Sequence, residues 1–116
     1  MISWINEKRE ALKRIRALRS LLALAKAASN ASTPQDAERV AHLYSTALEA
    51  LASVNVSSAD IDRLKTHIDA LLKALRGSQR PAAVLRYRLA AVATIQAIDK
   101  TISKRPVDAI EGRATR

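Results

Sequence analysis

With 116 residues, no cysteine, two glycines, three prolines and 3% aromatic content, the chain has room for one domain and one hydrophobic core. Those counts exclude a disulfide scaffold and a Cys-ligated metal centre, and leave almost nothing for a glycine-rich phosphate loop. Twenty Lys and Arg against eleven Asp and Glu give a formal net charge of +9, which points to polyanionic or acidic partners.

The apolar residues are mainly Ala and Leu, with one Trp and no Phe. Both are strong helix formers, so an all-helical fold is expected. No uncharged stretch approaches the ~20 residues that span a bilayer, and Glu7 and Glu10 stand where a secretory signal needs its apolar centre. No membrane partner and a cytoplasmic location follow as expectations.

Residues 2–29 predict the first helix, because Trp4, Ala11, Ile15, Leu18, Leu22 and Ala25 recur at steps of three, four or seven. Ile5, Leu12 and Leu21 widen that stripe. The run Ser29-Asn30-Ala31-Ser32 then competes with the helical backbone and predicts a turn. Thr33 is a good N-cap, Pro34 suits the first helical position, and Asp36 sets a negative charge on the positive helix end. A second helix is predicted over 34–54, with Ala37, Val40, Ala41, Tyr44, Ala47, Leu48 and Leu51 inward and Glu38, Arg39, His42, Ser45 and Glu49 outward.

Asn55 ends that helix, and Ser57 with Asp60 starts a third over 58–76, with Ile61, Leu64, Ile68, Leu71, Leu72 and Leu75 at helical spacing. Arg76-Gly77 closes it with a cation and a C-cap glycine. Pro81 opens a fourth helix to about Ser103. Its apolar set of Val84, Leu85, Leu89, Val92, Ile95, Ile98 and Ile102 covers nearly half the circumference. Burial in the core is the expectation for this set, and a face kept for a partner is the alternative. Pro106 is expected to end the helix and to start a mobile C-terminal tail over 106–116. Four helices with short connections predict a four-helix up-and-down bundle in a single domain over 1–105. A three-helix core with one displaced helix is the alternative.

Charge divides unevenly, with nets of +5 over 1–30, −1 over 31–78 and +5 over 79–116. Lys8, Arg9, Lys13, Arg14, Arg16 and Arg19 fall within twelve positions of the first helix, opposed there only by Glu10. Arg9, Lys13 and Arg16 share one edge, which suits a row of phosphates. In an up-and-down bundle the first and fourth helices are neighbours, so Arg80, Arg86, Arg88, Lys100, Lys104 and Arg105 would extend a continuous basic surface. Arg9, Lys13, Arg16 and Arg19, with Arg86 and Arg88 second, are therefore the candidate nucleic-acid-binding residues, for nucleic acid itself or a nucleoprotein complex. Plain solvation of a helix face, or an acidic protein partner, explains the same cations. Neither a helix-turn-helix pattern nor an alternation of aromatic and basic residues is visible. Trp4, beside the basic run, and Tyr87, between Arg86 and Arg88, are candidate interface residues.

Little catalytic chemistry is on offer. Glu38 and His42 sit one turn apart and could supply two metal ligands, but no third stands nearby. Arg39 with His42 and Arg63 with His67 are spaced too closely for the helical nucleases that use an Arg–His pair. Asp60, Asp62 and Asp69 suit the cap and charge pairing of the third helix. No enzyme, no cofactor and no metal site are expected.

From Ile15 to Ile61, the residues Ile15, Leu21-Leu22-Ala23-Leu24-Ala25, Asn30, Ala37-Glu38, Ala41 and Ser57-Ser58-Ala59-Asp60-Ile61 form a further pattern. It resembles the helical hairpin of domain-of-unknown-function family 2786, with Asn55 standing where that family has a turn glycine. The resemblance implies a helical hairpin and a bacterial or phage source, and it carries over no functional residue. The competing functional class is a protein-binding module, such as a phage-encoded inhibitor or adaptor. An oligomeric structural subunit using the broad apolar face of the fourth helix belongs to the same class.

Overall fold

The computed structural model describes residues 2–77 and 79–114, with side chains placed over 5–77 and 79–104. Four helices form, α1 (Ile2–Asn30), α2 (Pro34–Leu51), α3 (Ser58–Arg76) and α4 (Pro81–Ala114). Each packs on its chain neighbour, α1 also packs on α4, and no contact crosses either diagonal. This is the circular, antiparallel order of an up-and-down four-helix bundle.

Local chemistry sets the helix starts. Thr33 Oγ1 accepts the Asp36 N–H at 3.2 Å, while Asp36 Oδ2 accepts the N–H groups of Ser32 and Thr33 at 2.8 and 3.0 Å. The reciprocal bonds satisfy N–H groups that the first turn of α2 leaves open, and they hold the Asp36 carboxyl below its ordinary pKa. Ser57 Oγ accepts the Asp60 N–H at 3.2 Å and starts α3 in the same way. Gly77 ends α3 without a left-handed turn, its N–H donating to Lys73 O at 2.9 Å. A Cβ there would stand 3.0 Å from that carbonyl oxygen, so the absence of a side chain relieves crowding.

Two boundaries differ from expectation. The second helix stops at Leu51 rather than 54, because Ser53 and Val54 donate to carbonyls three residues back and tighten the chain into a turn. The fourth helix continues through Pro106 to Ala114. Proline removes a single N–H, and its fixed φ is compatible with helix, so an apolar-periodic segment can run through it. The mobile tail expected over 106–116 lies, in all its side chains and in the whole of Thr115 and Arg116, outside the described residues.

The core is built from all four helices, with Ala17, Leu21, Leu24 and Ala28 of α1, Val40 and Ala47 of α2, Leu64, Ile68 and Leu71 of α3, and Ala91, Ile95 and Ile98 of α4. No polar or charged side chain is buried among the described residues. α2 and α3 turn inward the residues that their spacing predicts, most of them buried and Ala41, Tyr44, Leu48 and Ile61 half-buried against the core. α1 does not: its inward face is Ala17-Leu21-Leu24-Ala28, and Ile15 and Leu22 are exposed. The reason is charge. Between Ala17 and Ala31 the buried face is free of cations, whereas the expected stripe runs alongside Arg19 and Lys26, which would have to lose water on packing.

At 29 and 34 residues, α1 and α4 are far longer than α2 and α3, at 18 and 19. Val54 and Asn55, in the α2–α3 connection, sit beside Glu10, Arg14 and Ile102. The first turns of α1 and the last turns of α4 therefore project past the hairpin, which accounts for the long axis of 55 Å against 24 and 22 Å.

Candidate docking face on α1 and α4

Every large apolar side chain that is exposed among the described residues belongs to α1 or α4: Ile5, Leu12, Ile15 and Leu22, then Leu85 and Leu89. α2 and α3, whose polar and apolar residues separate cleanly by face, contribute none. Leu89 is 62% exposed and Leu22 54%, so half or more of each side chain remains in water. Of the apolar set expected in the core of α4, Val84, Ile95, Ile98 and Ile102 are buried and Val92 is half-buried, while Leu85 and Leu89 stay outside and Ala91 joins the buried face.

Helical geometry brings most of these side chains to one side of the bundle. Ala23, Ala27 and Asn30 of α1 face a groove shared with Arg39 and Leu43 of α2, and Leu22 reaches its rim. Ile15 and Leu18, on the other side of α1, therefore turn toward α4, with Leu22 next to them. On α4, the Arg88 Nη1 donates to Ala31 O at 2.9 Å, at the end of α1, which identifies the side of α4 that faces α1. Leu85 and Val92 lie three residues before and four after Arg88, on that same side, and Leu89 follows Leu85 by one turn. The result is an apolar furrow along the α1–α4 junction.

Cations run along both rims. Arg19 and Lys26, two turns apart, form the crest of α1, and Lys8 continues that line. Arg86, Lys100 and Lys104 form the crest of α4. α1 and α4 are neighbours, as the basic surface suggested by the sequence requires, and the furrow runs between the two rows.

The sequence-derived binding residues are distributed as follows. Arg9 and Arg16 are exposed on the flank of α1 toward α2, away from α4. Lys13 is half-buried on the same flank and pairs with Glu10 at 3.3 Å. Arg19 and Arg86 are exposed on opposite rims. Arg88 is committed to the fold, because α1 has no basic residue in its last turn and this guanidinium, from 57 residues away, meets the carbonyl end of α1. Tyr87 packs half-buried against the core, and the side chain of Trp4 lies outside the described residues, as does that of Arg105.

Replacing Arg88 with Met keeps the stem packing and removes the cap on Ala31. A loss of about 1–3 kcal/mol in urea unfolding is expected, trimmed because the Arg88 Nε is itself buried without a partner. A variant as stable as the wild type would show that the bond does no structural work.

The histidines assemble nothing. Glu38 bonds to Arg76 at 3.2 Å across the α2–α3 pair, His42 is exposed and His67 half-buried. Among the described residues no group of three or more His, Asp or Glu could hold a metal ion. No described helix is long and apolar enough to cross a membrane. An apolar face on the fourth helix kept for a partner is the alternative that the sequence offers; the share of α1 in it is not legible there. Compared with protein-family models, curated proteins and solved structures, the chain matches none.

Proposed function

We propose that the chain is a non-enzymatic binding protein that takes an acidic, amphipathic helix of a protein partner into the furrow between α1 and α4. The observation that carries this reading is the confinement of all exposed large apolar side chains among the described residues to those two helices, with cations on both rims. Neighbouring helices pack at 8–10 Å, and the furrow between them accepts the ridge of a third. Leucines in the furrow bury against the partner's apolar face, while Arg19 and Lys26 on one rim and Arg86 and Lys100 on the other meet its carboxylates. A second copy of this chain would set basic rims against basic rims. A phosphate backbone has nothing to pair with Leu22, Leu85 and Leu89.

A second reading, nucleic acid held through phosphates, draws support from Arg9 and Arg16, which have no hydrogen-bond or ion-pair partner among the described residues. Membership of domain-of-unknown-function family 2786, with the bacterial or phage source it implies, is a proposal of the same standing and rests on the residues between Ile15 and Ile61. An inhibitor or adaptor encoded by a phage fits the furrow reading.

The two readings separate in one experiment. The immobilised full chain and the double variant L85E/L89E are exposed to bacterial lysate with and without nuclease. The furrow reading expects a protein that survives nuclease on the wild type and is lost from the variant. Retention that vanishes with nuclease and ignores the variant would replace it with the nucleic-acid reading.

A further inference from the structure

We infer that the groove between α1 and α2 is a second binding site, for a small organic anion that carries an apolar portion, such as an alkyl phosphate. This groove lies across the crest of α1 from the furrow, is open to solvent along one side and has a volume of about 460 Å³, within the range of small-molecule sites. Three cations line it, Arg19 and Lys26 from α1 and Arg39 from α2. None of the three side chains has an ion-pair or hydrogen-bond partner among the described residues.

The one acidic side chain in the lining is Asp36, and its Oδ2 already accepts the N–H groups of Ser32 and Thr33. Those bonds hold the carboxylate at the start of α2 and leave its charge in place, so three cations stand against one anion and the lining keeps a positive excess. Below the cations the surface is apolar. Ala23 and Ala27, one turn apart on α1, keep the floor low, and Leu43 of α2 closes one side. Neither half of this lining explains the other. Cations alone would be an ordinary solvated edge, and an alanine floor alone would be ordinary helix packing. Together they match an anionic head with an apolar body, the head bridging Arg39 and Arg19 and the body lying over Ala23 and Ala27.

The occupant is tested with octyl phosphate, inorganic phosphate and octanol, titrated separately into the full-length chain by calorimetry and amide NMR. Octyl phosphate is expected to bind at least about tenfold more tightly than either fragment, because only it uses both the cations and the floor. Its amide shifts should cluster over Arg19–Ala27 and Arg39–Leu43. Arg39→Ala should weaken it about tenfold. Ala23→Leu, at a half-exposed position, should fill the floor and abolish binding while the cooperative melt is retained. Equal affinity for octyl phosphate and inorganic phosphate would overturn the site, as would shifts centred on Leu85 and Leu89 or an Arg39→Ala variant that binds like the wild type. L85E/L89E should bind octyl phosphate normally, so the groove and the furrow stand or fall separately.

Discussion

Leu21→Ala is expected to lower the unfolding free energy by about 2–5 kcal/mol, and Leu22→Ala, one residue on, by no more than about 0.5 kcal/mol. The two positions have the same side chain in the same helix, so propensity and unfolded-state effects nearly cancel between them. What differs is burial, since Leu21 is 0% exposed and Leu22 54%. Truncating Leu21 removes about three carbons from a fully buried site in the core cluster to which all four helices contribute, and a close-packed interior relaxes only partly into the space. Urea unfolding of the two variants reports the rotational setting of α1 directly. Equal losses at both positions, or a larger loss at Leu22, would mean that α1 is rotated toward the stripe its spacing alone suggests.

The second large effect is functional. L85E/L89E should leave the melting temperature within a few degrees of wild type, because both side chains are exposed and neither belongs to the core cluster. Partner affinity should fall at least about 100-fold. Burying two leucines contributes roughly 1.5–3 kcal/mol each, and the variant also places two carboxylates where an acidic helix would dock. The opposite pattern, a collapsed melt with binding intact, would make these leucines structural. Salt supplies a further distinction: in the furrow complex the rim ion pairs are screened while the affinity contributed by the leucines persists, whereas a phosphate-led complex loses orders of magnitude.

How far the sequence reveals this molecule depends on the helix. α2 and α3 are legible almost residue by residue. Thr33, Asp36 and Ser57 mark their starts, and a single apolar stripe such as Leu64-Ile68-Leu71-Leu75 admits one way to face the core. α1 and α4 carry apolar residues on more than one face, and spacing alone then allows two rotational settings. In α1 the choice falls to the stripe farther from Arg19 and Lys26, a tertiary decision invisible to a periodicity count. In α4 the buried set passes through Ala91, a residue that hydropathy barely registers, and Leu85 and Leu89 are left outside. Arg88 could not be assigned from local sequence, since its partner, Ala31, lies 57 residues away. The groove between α1 and α2 was hidden for a similar reason, because Arg39 reads as a solvated helix position until α1 brings Arg19 and Lys26 beside it. The basic content was legible, but its division into two rims required the order of helices around the bundle.

Site-specific photo-crosslinking tests the central claim most directly. A photoreactive side chain is placed at position 89, in the furrow, or at position 42, where His42 is exposed on the outer side of α2. The full-length chain is then irradiated in bacterial lysate after nuclease treatment. The account predicts a discrete protein adduct from position 89 and none from position 42. Equal adducts at both positions, or an adduct at 89 that consists of nucleic acid and disappears with nuclease, would contradict it.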